Sequence, residues 1–278
     1  LDRRPAVVVS AMGKTTNKLL SIAADAAAGR RSAALAQLED LRSFHLREAE
    51  PAVLEQDRPA VRGIIEEHFQ ELGELVKGLG LVGELSPRSV DAISSYGERL
   101  SSAIVALAFR RQGIPTAHVD SRNVIITDGH HTQAAPLLSR TYALLADVVA
   151  PLAREKVVVM GGFIGSTERG VTSTLGRGGS DYSAALVGAG IGAKEIQIWT
   201  DVDGMLSADP TVFPGGHRVE AISFAEAAEL AQRLRGVRSG TLATHLPVEA
   251  GLARAYVAAA PYLTARDPGE SSEDAQWR

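Results

Sequence analysis

The 278 residues contain no cysteine. That excludes disulfides, Cys-based zinc sites and a thiol nucleophile, and it leaves the redox compartment unread. Charge of one sign is not in excess either. Lys and Arg number 29 against 33 Asp and Glu, a formal net charge of -4. No basic surplus argues for a nucleic-acid partner, and no acidic surplus argues for disorder. Apolar runs such as residues 5–9 and 157–160 fall far short of the ~20 residues of a membrane span. Leu1-Asp2-Arg3-Arg4 leads into only a short apolar run, so no signal peptide is visible. The expectation is a cytoplasmic protein with neither a nucleic-acid nor a membrane partner. Also missing are the Walker phosphate-loop pattern, a Ser-His-Asp arrangement and an internal repeat. The seven histidines show no metal-ligand spacing, and His130-His131 reads as a surface loop pair.

What is present is a globular composition, 45% hydrophobic and 22% charged, long enough for one large domain or two small ones. Ala6-Val7-Val8-Val9 reads as a buried strand. The polar loop Ser10-Ala11-Met12-Gly13-Lys14-Thr15-Thr16-Asn17 follows, in which Thr16 or Asn17 could cap the next helix, over residues 18–28. Residues 32–80 carry two helical stripes interrupted by Pro51 and Pro59, and predict a helical insertion. One long helix is expected over 89–112. Strands are expected at 117–119, 124–127, 157–160 and 196–200, and helices at 136–154, 181–189 and 223–234. Strands alternating with helices predict an α/β layered fold with a mainly parallel sheet. Ligands in such sheets bind at the carboxyl ends of strands. The tail, residues 265–278, is polar and expected to be disordered.

The richest stretch is 160–184. Gly161-Gly162 follows a strand, and Gly176-Arg177-Gly178-Gly179-Ser180-Asp181 opens a helix. Glycines let the backbone approach a bulky anion, and a helix start offers free N–H groups to it. Arg177 suits a carboxylate or phosphate. Asp181 reads either as a site carboxylate or as a cap. Glu98, in Ser94-Ser95-Tyr96-Gly97-Glu98-Arg99, reads either as a solvated helix carboxylate or as the partner of a substrate ammonium. The carboxylates of Trp199-Thr200-Asp201-Val202-Asp203-Gly204 suit Mg²⁺, a ribose or a plain turn.

Five of these segments together, at 9–17, 83–89, 95–101, 162–184 and 198–204, resemble the aspartate kinases of the amino acid kinase superfamily. The resemblance implies a three-layer α/β/α sandwich with a mainly parallel central sheet and a helical insertion near 32–85. It implies a catalytic domain over 1–264, with 232–264 divergent. It also implies ATP-dependent phosphorylation of the β-carboxylate of L-aspartate, the first step toward lysine, threonine and methionine, with Mg²⁺ as cofactor. Other readings are another amino acid kinase, of the glutamate or acetylglutamate type, and a fragment or pseudokinase that binds a ligand or partner subunit without turnover. Carried over by position, Thr16, Glu98, Arg177, Gly179 and Ser180 would meet the aspartate. Glu98 would take its ammonium and Arg177 a carboxylate. Ser10, Gly161, Gly162, Thr200, Asp201 and Arg238 would meet the nucleotide, Arg238 in place of a family lysine. Arg177 and Asp181 would act in catalysis, Asp181 by organising the site cations. The family's Lys-Phe-Gly-Gly-Thr-Ser strand and its ACT regulatory domains are expected to lie outside these residues. Family members commonly dimerise, so a homodimer is the assembly the resemblance admits.

Overall fold

A computed structural model describes residues 5–176, 178–199 and residue 215. The central sheet has three strands in the order β1-β4-β2: β1 is Ala6–Val9, β2 is Thr116–Val119 and β4 is Val157–Gly161. Both pairings are parallel, with Val9 opposite Gly161 and Val119 opposite Met160. All three strands therefore end at one edge.

The period of two in β1 and β4 builds the layers. Val7, Val9, Val157 and Val159 face one side and pack on Val105, Ala106 and Phe109. Those residues belong to α5 (Tyr96–Arg111). Ala6, Val8, Val158 and Met160 face the other side, against Tyr142, Leu145, Leu186 and Val187. These come from α6 (Leu138–Leu144), the single π turn that continues it, and α8 (Gly179–Ile191). A short α7 (Ala150–Glu155) leads into β4. A parallel sheet is thus covered by helices on both faces, as the sequence predicts.

The helical insertion is a hairpin of α2 (Arg31–Ala49) and α3 (Arg58–Val82), packed on α1 (Thr15–Ala27) and α5. Ala34, Leu38, Leu41, His45 and Ala49 line one stripe, and Val61, Ile65, Phe69, Leu72, Val76 and Leu79 the other. Pro51 ends the first helix in a 3-10 turn and Pro59 opens the second, where its missing N–H costs nothing.

Several expectations need correction. The helix expected over 89–112 is two helices, α4 (Pro87–Ser94) and α5, which meet at Ser95. Ser86 caps α4 by accepting from the Ser89 N–H. The loop expected after Met160 contains a hairpin, β5 (Ile164–Thr167) with β6 (Thr172–Thr174), beside the two-residue β3 (Ile126–Thr127). Its Gly, Ser and Thr residues carry little strand signal. Helix α1 starts at Thr15, with Lys14 at its N-cap and no side-chain cap bond, so neither Thr16 nor Asn17 caps it. Residues 196–199 form no strand, and Ile196 instead lies over Gly188 of α8. The helix expected at 223–234, the divergent stretch at 232–264 and the tail lie outside the described residues.

Candidate functional site

The carboxyl edge of the sheet gathers four segments, and close backbone approaches join them. The Gly162 N–H donates to Val9 O at 2.8 Å, which holds the end of β4 against the end of β1, beside Ser10. A Cβ on Gly161 would lie 3.1 Å from both the Cβ and the carbonyl oxygen of Glu98. A Cβ on Gly97 would lie 2.7 Å from the Ala11 side chain and 3.4 Å from Thr16 Oγ1. A Cβ on Gly162 would meet Ser180 Cα at 2.7 Å. Glycine is required at Gly97 and Gly162 because any side chain would separate α5 or α8 from the strand ends.

Ser10, Thr16, Glu98, Gly161, Gly162, Gly179, Ser180 and Asp181 thus lie along one edge of the sheet. Arg177, Thr200, Asp201 and Arg238 lie outside the described residues.

Glu98 is the electrostatic centre of this edge. It sits in the first turn of α5 and is only 4% exposed. The Ala11 N–H donates to Oε1 at 3.2 Å. Oε2 is buried, with no partner among the described residues. Burial pushes this carboxyl up to about 7, against the smaller opposing pull of the Ala11 N–H and of its own backbone N–H. A buried carboxylate with an open oxygen is short of a cation or a donor. The alternative of a solvated helix carboxylate is thereby excluded.

Asp181 lies in the first turn of α8, half-buried, with no side-chain hydrogen bond among the described residues. Burial raises its pKa from the ordinary aspartate value. The α8 N-cap is Gly178, at φ 72, so Asp181 is not the N-cap. Ser183 braces the same end: its Oγ donates to Gly179 O at 2.8 Å and accepts from the Phe163 N–H at 2.9 Å. Phe163 has φ 65, an uncommon conformation for a residue with a side chain. Gly179 leaves room for it, since a Cβ there would meet Phe163 Cδ2 at 2.8 Å. Behind the β1 loop, the fully buried His45 has Nε2 3.5 Å from Thr15 Oγ1, and burial lowers its pKa.

Sequence reasoning missed two features here. Ser183 could have been found as a small polar residue one turn into a Gly-started helix. Asp91 could not. His131 also needs correction: His130 is exposed, but His131 is largely buried with Nδ1 2.7 Å from Asp91.

Comparison with known proteins identifies the family and the fold. The model of the amino acid kinase family matches residues 1–258. Aspartokinase 2, chloroplastic, of Arabidopsis thaliana is 36% identical over 242 residues, covering 83% of this chain and 42% of that protein. Lysine-sensitive aspartokinase 3 of Escherichia coli strain K12 is 35% identical over 227 residues, 81% of this chain and 48% of that protein. The crystal structure of E. coli aspartokinase III in complex with aspartate and ADP superposes with a TM-score of 0.75 at 32% identity, covering 82% of this chain and 49% of that one. The chain spans less than half the length of these relatives. No helix among the described residues is long and apolar enough to cross a membrane.

Proposed function

The chain belongs to the amino acid kinase family, and from that premise we propose that it carries the catalytic site of an aspartate kinase, which transfers the γ-phosphoryl group of ATP to the β-carboxylate of L-aspartate. The observation that supports this reading is the unpartnered, buried Oε2 of Glu98 at the carboxyl edge of the sheet. An α-ammonium is a cation of the size and valence that such an oxygen lacks. Among the similar structures is an aspartokinase in complex with aspartate and ADP.

In this reading the ammonium of aspartate meets Glu98, beside Thr16. Arg177 takes a substrate carboxylate as a bidentate partner. Gly179 and Ser180 line the same pocket, where the start of α8 presents N–H groups to negative charge. The nucleotide lies along Ser10, Gly161 and Gly162, with Thr200, Asp201 and Arg238 toward its base and ribose. The glycines keep side chains out of the path of the phosphates. Phosphoryl transfer asks for alignment and charge neutralisation more than for covalent help, and these residues supply both.

Asp181 is the carboxylate fitted to Mg²⁺. It is acceptor-only when ionised, half-buried, and without a cationic side chain among the described residues. No cluster of three or more His, Asp or Glu occurs among the described residues, so the ion would take most of its ligands from the phosphates and water. Held there, Mg²⁺ would neutralise phosphate charge, and Asp181 would be the carboxylate that holds it. The product, an acyl phosphate, enters amino-acid biosynthesis toward lysine, threonine and methionine, and the assembly is a homodimer in the cytoplasm.

The test is a coupled ADP-release assay with L-aspartate, L-glutamate and N-acetyl-L-glutamate offered separately. Aspartate-dependent release is expected. Release with either of the others and none with aspartate would replace this reading by another kinase of the family. Binding of aspartate without release would replace it by a non-catalytic role.

A further inference from the structure

We propose that Asp91 is a positioning residue that locks the strand leading to the Gly-rich 176–181 turn against the helix leading to Glu98. It would thereby set the spacing of the two halves of the substrate site. The inference rests on the aspartate kinase reading for what that spacing does.

Asp91 is fully buried in α4, and nothing in the proposed chemistry uses it. Its oxygens are fully engaged. The Thr132 N–H donates to both at 3.0 Å, Thr174 Oγ1 donates to Oδ1 at 2.5 Å, and His131 Nδ1 donates to Oδ2 at 2.7 Å. The partners are distant in sequence and belong to two other segments, the 128–135 loop and β6. Burying a carboxylate is costly unless several donors surround it, so a site that retains one gains a fixed geometry from it.

Each bond leads to the candidate site. On one side, the Asp91 carbonyl accepts from the Ser95 N–H at 3.1 Å, and the Ser95 carbonyl accepts from the Arg99 N–H at 3.1 Å. This joins α4 to the first turn of α5, where Glu98 sits. On the other side, Thr174 is the last residue of β6, three positions before Arg177. Its carbonyl accepts from the Ala134 N–H at 2.9 Å. The next residue, Leu175, donates its N–H to Phe163 O at 2.9 Å. Thr132 O then lies 3.1 Å from where a Gly176 Cβ would be, and Thr132 holds a left-handed φ of 71 to put it there. Asp91 therefore fixes Thr132 and Thr174 together, and these two bracket the entry to the turn.

The test compares the full chain with Thr174→Val, Thr174→Ser and Asp91→Asn, by steady-state kinetics and by hydrogen exchange of the 175–183 peptide. Thr174→Val keeps the volume and loses one donor. It is expected to raise the KM for L-aspartate about 10-fold while that for Mg-ATP changes by about twofold or less, and to speed exchange across the turn. Thr174→Ser restores both. Asp91→Asn keeps acceptors for Thr132 and one hydroxyl, and falls between. A fall in thermal stability with both KM values unchanged, or equal rises in both, would overturn the proposal and leave Asp91 a purely structural residue. If the wild type neither binds nor phosphorylates aspartate, the kinase reading fails. The exchange data still decide this proposal in that case, since protection at 175–183 that is unchanged in a folded Thr174→Val protein refutes it.

Discussion

Two buried carboxylates, Asp91 within α4 and Glu98 in the first turn of α5, have similar burial and opposite surroundings. Asp91 is fully buried with donors on both oxygens. Glu98 is almost as buried, with one oxygen on the Ala11 N–H and the other without a partner among the described residues. Burial alone therefore does not mark a functional charge. The inventory of partners does: a satisfied carboxylate joins segments, and an unsatisfied one awaits a ligand.

The largest effect that sharpens this contrast is on stability. Asp91→Ala strips the acceptor from the Thr132 N–H and the Thr174 hydroxyl, and is expected to cost about 3 kcal/mol in a urea melt. A loss below ~1 kcal/mol would mean that water or another acceptor replaces the carboxylate without difficulty.

Next comes ligand affinity. Glu98→Gln keeps the Ala11 contact and removes the charge. It should raise the KM for L-aspartate roughly 30- to 100-fold at neutral pH, with little loss of fold stability. Succinate, which lacks the ammonium, should not distinguish the variant from the wild type. If succinate suffers as much as aspartate, Glu98 does not meet the ammonium.

The smallest effect is pH-dependent. Glu98 is raised to about 7 from the ordinary 4.5, so between these values the folded chain holds a proton that the unfolded chain has lost. Its contribution to stability is complete below about pH 4.5, declines as pH rises, and is gone above about pH 7. Glu98→Gln should remove a slope of at most ~1 kcal/mol per pH unit over that window. An unchanged slope would place the proton elsewhere.

How much of this was legible in the sequence follows from the range of the interactions. The apolar β-branched runs at 6–9 and 157–160 are local signals, and they correctly gave strands, although only β4 is buried throughout and β1 is partly exposed. The α2–α3 insertion was equally plain from its stripes and two prolines. The β5–β6 hairpin was not, because Gly165, Ser166, Thr172 and Ser173 look like loop residues until they pair. The break at Ser95 was hidden within a continuous amphipathic pattern. Glu98 was readable only through resemblance, because its burial is produced by Gly97 and Gly161 admitting other backbones to it. Asp91 was invisible. It sits in a polar-looking helix, and its partners Thr132 and Thr174 lie 41 and 83 residues away.

The central claim is that the open oxygen of Glu98 receives the ammonium of aspartate, and proton-linked calorimetry tests it most directly. L-Aspartate is titrated into the chain at about pH 6 and about pH 8.5, in buffers of different ionisation enthalpy. With the free carboxyl near 7, binding should release close to one proton at the lower pH and almost none at the higher. Glu98→Gln should release none at either. Tight aspartate binding with no proton release at the lower pH, or the same release from Glu98→Gln, would contradict the account.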